Sequence, residues 1–369
     1  MIHFIIGTKA QFIKMMPLMH LLEIGQRPYH LLDLGQHGAI TRRIVEDFGL
    51  APQVTRLTET AENVESYGHA VRWLAGGVSR LLWSRRRLLD TYFQGQGGFS
   101  LIHGDTASTL LGMHLGRRAG LKVGLVEAGL SSGSAFDPFP EELIRRHAER
   151  RADLLFPPDA KGAARLHSLK LPGQVTQTRY NTGRDALMLV IQRHGLEKPP
   201  ADAGEYSVMT LHRLETLSRG ALLKRIIAYA QELTGRIGPV RFYLHGPTHA
   251  ALLRNGLLEA LEKHPAFTVA PLLPYPQFVH QLLHCRYLLT DGGSIQEEAS
   301  YLEKPCLILR RRTERDNGLG RNARLASYVA DEDAKFLQAC ATRDQRFTVD
   351  FSFQASRQIL DVVEAADRV

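Results

Sequence analysis

Three acidic residues fall where apolar, strand-like runs give out: Asp105 in His103-Gly104-Asp105-Thr106, Glu127 in Val126-Glu127-Ala128-Gly129-Leu130, and Glu141 after Pro138-Phe139-Pro140. The end of an apolar strand is a poor place for a solvated carboxylate. Clustered carboxylates there raise one another's pKa, as general acid–base work requires. The structural alternative is that they cap helices or pair with Arg145 and Arg146. Function is the better reading, because all three occupy the edge at which open α/β sheets bind ligands.

A second set of residues suits an anion. The stretch from Tyr287 to Ala299 reads as a short strand, a turn at Gly292 and Gly293, then a helix carrying Ser294, Glu297 and Glu298. Glycines at such a turn let backbone N–H groups approach an anionic oxygen at a helix N-terminus. An acid such as Glu298 one turn further suits ribose hydroxyls. A plain α/β turn with acids favoured in the first helical turn would look the same. Gly7 to Lys14 is a Gly-Thr turn flanked by Lys9 and Lys14. It lacks the Walker A spacing and reads either as an anion-contact loop or as a simple βα turn. His212 and Arg213, in the run Thr210 to Glu215, suit a diphosphate, with arginine giving bidentate contacts; a capped turn is the alternative. His245 and His249 repeat the theme one strand later in a Gly-Pro turn. They do not share a helix face with a carboxylate motif, which argues against a metal site.

Elements must hold these residues in place. Ile2 to Ile6, His30 to Leu34, Leu101 to His103, Lys122 to Val126 and Leu154 to Phe156 read as strands. Between them lie helical stretches at Phe12 to Leu22, Ala39 to Phe48, Ser108 to Arg118 and Glu141 to Arg150, with a long helix from Glu62 to Tyr92 broken near Gly76-Gly77. A second series has strands at Tyr206 to Thr210, Arg241 to Leu244, Phe267 to Ala270, Tyr287 to Thr290 and Cys306 to Leu309. A last helix, Phe353 to Ala366, follows the polar break at Thr342 to Arg346. Such alternation predicts an α/β protein with parallel sheets. The chain divides into residues 1–180, a nucleotide-binding half at 181–350 and a terminal helix at 351–369.

Composition narrows the function classes. At 369 residues the chain exceeds one typical core. No run reaches the ~18 apolar residues of a membrane span. The N-terminus reads as a first strand and lacks a secretory signal's basic start and cleavage site. The scattered Cys285, Cys306 and Cys340 suit reduced thiols of a cytoplasmic protein. A net charge of +8 favours anionic ligands, but no nucleic-acid signature is present. Arg85 to Arg87 beside Trp83 would suit a membrane surface; a solvated helix face is preferred.

Taken in order, these motifs resemble the UDP-N-acetylglucosamine 2-epimerase family: Gly7 to Lys14, Gly35 to His37, His103 to Thr106, Val126 to Leu130, Pro140 to Glu142, Thr210 to Arg213, Asp291 to Ala299, Lys304 to Leu307 and Thr313 to Arg315. The resemblance implies a GT-B architecture, two Rossmann-like domains facing a central cleft with the C-terminal helix crossing back. It implies a cytoplasmic, homodimeric isomerase that needs no metal or other cofactor. The reaction would invert C2 of a UDP-HexNAc through elimination and re-addition of UDP, for surface-polysaccharide synthesis. Hydrolysis to UDP and a ManNAc-type sugar, transfer by a GT-B glycosyltransferase, and a nucleotide-sugar binder without chemistry are the alternatives.

Carried over by motif, Asp105, Glu127 and Glu141 would be the acid–base residues around C2 and C3. His212 and Lys14 would lie near the diphosphate, Glu298 at the ribose, and Gly292, Gly293 and Ser294 by the phosphates. Lys9, Arg213, His245 and Arg315 complete the expected UDP-sugar contacts. The sequence departs from the family's usual pattern at Lys9 and Gln11, where Arg and Glu are common, and at Ser131 and Gly292, where Arg and Ser are common. Lys does not reproduce an arginine fork.

Overall fold

In the computed structural model the chain forms two compact units, Met1–Leu189 with Asp350–Val369, and Val190–Val349. The structure describes residues 1–35, 38–58, 67–131, 133, 140–341 and 350–367. The expected break at Thr342 to Arg346, and Gln36 and His37 of the Gly35 to His37 motif, lie outside these.

The first unit is built on β1 (Ile2–Ile6), β2 (Tyr29–Asp33), β3 (Gln53–Arg56), β4 (Phe99–His103), β5 (Lys122–Val126), β6 (Leu154–Phe156) and β7 (Gln174–Val175). They form one sheet in the order β3-β2-β1-β4-β5-β6-β7, and every pairing is parallel. The order reverses between β1 and β4. Such a switch point opens a crevice beyond the strand ends, where the flanking loops part to opposite faces. Gly7 leaves β1 and Gly104-Asp105 leaves β4 at that place.

The second unit repeats the plan with β8 (Ser207–Leu211), β9 (Val240–Leu244), β10 (Phe267–Pro271), β11 (Leu288–Thr290), β12 (Cys306–Ile308) and β13 (Ala323–Leu325). The order is β10-β9-β8-β11-β12-β13, again parallel throughout. Here the switch lies between β8 and β11, which His212 and Asp291 immediately follow. Both central strands are wholly buried, so the sequence reads as apolar runs rather than as alternation.

The three strands absent from the sequence reading, β3, β7 and β13, all lie at sheet edges. An edge strand buries less and needs less apolar character; β3 is mostly exposed. Gly76-Gly77 does not break its helix, which runs unbroken through Tyr67–Arg80. A Cβ on Gly77 would come 2.4 Å from Leu111 Cδ2, so glycine there permits close packing of two helices. The break comes at residues 81–84, where the Ser84 hydroxyl caps the helix Arg85–Tyr92 by accepting from the Arg87 N–H at 3.3 Å. The Arg87 guanidinium stacks 3.7 Å from the Trp83 ring.

One core feature is sensitive to acid. His3 on β1 and His30 on β2 are fully buried, with Nδ1 atoms 3.3 Å apart. His3 Nε2 lies 3.0 Å from the Gln96 carbonyl, and His30 Nε2 lies 2.8 Å from the Thr55 hydroxyl. Burial pushes each pKa down to about 4. The unfolded chain therefore takes up protons first as pH falls. Stability is fully present above the ordinary histidine pKa of 6.5 and is lost toward pH 4, by on the order of a few kcal/mol in total. The expected result is a falling Tm across that window, with a shallower fall in a His30→Asn variant; identical slopes would contradict it.

Candidate active site

Gln11 organises the first switch point. Its Oε1 accepts the N–H groups of Gly7 and Thr8 at 3.0 and 3.1 Å, closing a capping box with Thr8 at the start of the helix Lys9–Ile24. Its Nε2 donates to the His103 carbonyl at 2.7 Å and to the hydroxyls of Thr106 and Thr109 at 3.0 Å. The amide thus ties the loop after β1 to the loop after β4. A glutamate at this position could not donate to the His103 carbonyl. Lys9, partly exposed, begins the helix beside it.

The acids stand around this bracket. Thr106, not Asp105, caps the helix Ala107–Ala119, its N–H bonding Thr109 Oγ1 at 3.1 Å. Asp105 instead receives the Arg145 guanidinium. Arg145, in the helix Glu141–Glu149, also donates to Glu142 at 2.5 Å. Glu142 is fully buried. Burial alone would raise its pKa, but hydrogen bonds from Ser131 and Arg146 and the charges of Arg145 and Arg146 hold it below the usual value. The Ser131 hydroxyl donates to Glu142 at 2.7 Å, so the residue that departs from the family's Arg supports this carboxylate directly.

Glu127 follows β5 with a left-handed backbone, φ 63°, a conformation non-glycine residues adopt at some cost and that clusters at functional sites. Its Oε2 takes up the Lys14 ammonium and the Asn181 side-chain amide, and His103 Nε2 lies 3.7 Å from the same oxygen. Lys14, expected near a diphosphate, is therefore placed against an acid. Asp105 and Glu127 each face a cation. Glu141 opens its helix with Oε2 shielded from solvent, and among the described residues that oxygen has no hydrogen-bond partner.

In the second unit Asp291, fully buried, is the anchor. Its carboxylate accepts the N–H groups of His212 and Arg213 at 2.9 and 3.1 Å, fixing the loop after β8 to the end of β11. His212 Nδ1 is 3.5 Å from Asp291 Oδ1, and the His212 and His245 rings lie 5.3 Å apart. Enclosure and the nearby Arg213 and Arg310 lower the His212 pKa, outweighing the opposite pull of Asp291. His245 caps the helix Gly246–Arg254, so His249 is helical and not part of an open turn.

The glutamates and arginines after β12 interlock. Glu314 binds Arg213 and, at 3.0 Å, Arg310, and these charges hold its carboxyl at about 2 despite burial. Arg315 pairs with Glu297 at 2.9 Å. Gln296 donates to the carbonyls of Arg315 and Asn317 at 2.9 and 3.0 Å, binding that loop to the helix Gly293–Tyr301. Gly293 begins the helix, Ser294 is exposed on its first turn, and Glu298 accepts from the Tyr275 hydroxyl at 3.1 Å. Among the described residues no three His, Cys, Asp or Glu are grouped to hold a metal ion, and no helix is long and apolar enough to cross a membrane.

The family profile described as UDP-N-acetylglucosamine 2-epimerase matches residues 87–360. The chain belongs to the UDP-N-acetylglucosamine 2-epimerase family. It is 26% identical over 350 residues to the UDP-N-acetylglucosamine 2-epimerase of Methanococcus maripaludis, covering 92% of this chain and 90% of the relative. It is 29% identical over 328 residues to that of Bacillus subtilis, covering 85% and 80%. The UDP-GlcNAc 2-epimerase of Methanocaldococcus jannaschii, solved with UDP-GlcNAc and UDP, superposes with a TM-score of 0.81 at 22% identity over 99% of both chains. The fold is thus GT-B-like, two Rossmann-like units with parallel sheets.

The family motifs led to the acids and to His212. They did not disclose that Gln11 ties the loop after β1 to the loop after β4, that Asn181 bonds Glu127, that Asp291 fixes the His212 loop or that Glu314 holds Arg213, because each of these contacts joins residues distant in sequence.

Proposed function

We propose that this epimerase-family member inverts C2 of a UDP-N-acetylhexosamine. A carboxylate removes the C2 proton while the C1–oxygen bond to UDP breaks, leaving a 2-acetamidoglycal and UDP. UDP then re-adds at C1 as a proton is delivered to the opposite face of C2. Asp105, Glu127 and Glu141 carry the proton transfers near C2 and C3. His212, Arg213, His245, Arg315 and Lys9 serve the diphosphate, Gly292, Gly293 and Ser294 the phosphates at a helix N-terminus, and Glu298 the ribose. Charge that builds on departing UDP is what such fixed donors stabilise. Transfer of protons by carboxylates needs neither metal nor organic cofactor.

The observation that carries this reading is the position of Asp105 and Glu127 after the adjacent strands β4 and β5, beside the β1/β4 switch point, each against a cation. The family match favours epimerisation over hydrolysis and over glycosyl transfer. We place the enzyme in the cytoplasm as a homodimer supplying surface-polysaccharide precursors. Incubation with UDP-GlcNAc followed by ion-pair chromatography is expected to give UDP-ManNAc at equilibrium with substrate. Free ManNAc with UDP would move the assignment to hydrolysis, and an unchanged nucleotide sugar would overturn it for this substrate.

Gly292 offers a separate check on the UDP contacts. A Cβ there would stand 2.2 Å from His212 Cε1, so Gly292→Ala must push the imidazole aside. UDP affinity, read by calorimetry, is expected to fall roughly tenfold, equivalent to one hydrogen bond to a charged group. Unchanged affinity would remove His212 from the diphosphate.

A further inference from the structure

Asn181 is buried, 3% exposed, immediately before the helix Thr182–His194. Its Oδ1 accepts the Gly183 N–H at 2.9 Å. That bond fixes the amide's orientation, so that Nδ2 is the atom aimed at Glu127 Oε2. Lys14 reaches the same oxygen from the helix Lys9–Ile24. One carboxylate oxygen is thereby held by two donors from separate elements, while its own backbone is fixed in the left-handed region. Such convergence goes beyond what a surface ion pair requires. It sets the rotamer of Glu127 and favours its ionised form.

We infer that Asn181 is a positioning residue for Glu127, fixing where its carboxylate meets the sugar and keeping it charged. The inference rests on the assignment of Glu127 to proton transfer. Charged or titratable groups facing Glu127 include Lys14, His103 at the end of β4, 3.7 Å away, and Arg145 of the helix Glu141–Glu149, whose charge Glu127 also stabilises. Asn181 is a neutral, non-titrating donor beside these groups, so its exchange for a carboxylate changes the field at Glu127 with little change in shape.

Asn181→Asp keeps an acceptor for the Gly183 N–H and sets a like charge against Glu127. The expected kcat is lower by on the order of a hundredfold, with KM within about threefold of wild type. The acidic limb of the kcat–pH profile is expected to move up by about one unit, because a neighbouring like charge disfavours ionisation. Asn181→Ala removes the donor without adding charge. It is expected to lower kcat by about tenfold, to shift the limb less, and to serve as the main comparison should the Asp variant not fold. Thermal melts and UDP titration accompany both variants. A purely structural role would lower Tm and leave the pH profile in place; that result, or a profile of either variant superimposing on wild type, overturns the inference alone. Failure of the wild-type protein to exchange the C2 proton overturns the epimerase assignment and this inference together.

Discussion

Asp105→Asn, Glu127→Gln and Glu141→Gln are each expected to cut epimerisation by roughly 10²–10⁴-fold, the usual worth of a positioned acid or base, while UDP still binds within a few-fold of wild type. The three should part company in stability. Glu141 Oε2 has no hydrogen-bond partner among the described residues, so Glu141→Gln, which keeps the side chain's shape, breaks no hydrogen bond at that oxygen and should leave Tm nearly unchanged. Glu127→Gln takes the Glu127 charge away from Lys14, a residue only 7% exposed; breaking a buried pair in this way costs on the order of 3 kcal/mol. Asp105→Asn removes only one of two acids at Arg145 and should fall between. Combining two of the changes should add little to the loss of rate, because groups acting on one step are not additive. Turnover indifferent to all three would contradict the mechanism, and loss of UDP affinity in step with rate would mean that the acids bind the nucleotide instead.

Arg145→Met is expected to produce the largest loss of stability. Arg145 is 5% exposed, and its guanidinium joins Asp105 to the fully buried Glu142. Its removal leaves Glu142 with Arg146, at 3.2 Å, and the Ser131 hydroxyl, and leaves Asp105 without the cation that orients it. Removing one partner from a buried ionic group costs about 3–5 kcal/mol. For a cooperative unit of this size that is a fall in Tm of about 10 °C. Turnover should fall with it, because the orientation of Asp105 is lost. Arg145→Lys should restore little of either, as an ammonium cannot span two carboxylates as a planar fork does. A Tm within about 2 °C of wild type would show that Glu142 is held sufficiently by Arg146 and Ser131.

How much of this was legible in the sequence follows from what each part has to bury. The buried strands announced themselves as apolar runs, and their ends stand within two residues of the expected places, as β5 at Lys122–Val126 and β8 at Ser207–Leu211 illustrate. The edge strands β3, β7 and β13 carry no such signal, since hydrogen bonding on one side suffices for them. Gly77 misled because a glycine within a helical pattern signals a break as readily as a close contact with Leu111. The acids were legible through motif and position. Their partners were not: Lys14 meets Glu127 across 113 residues and Asn181 meets it across 54. Gln11, whose amide reaches His103 across 92 residues, looked like the loss of a carboxylate and is a bracket between two loops. Nothing in local spacing encodes such meetings; the parallel sheet creates them by bringing successive strand ends to one edge.

Exchange of the C2 proton of a UDP-HexNAc by carboxylates is the step on which the proposed epimerisation depends. A proton NMR time course with UDP-GlcNAc in D2O tests it most directly. The expected result is loss of the C2 proton signal as deuterium enters, together with the appearance of C2-deuterated UDP-ManNAc and no free sugar. Formation of UDP-ManNAc that keeps protium at C2, or a spectrum unchanged after prolonged incubation with enzyme that binds UDP-GlcNAc, would contradict it.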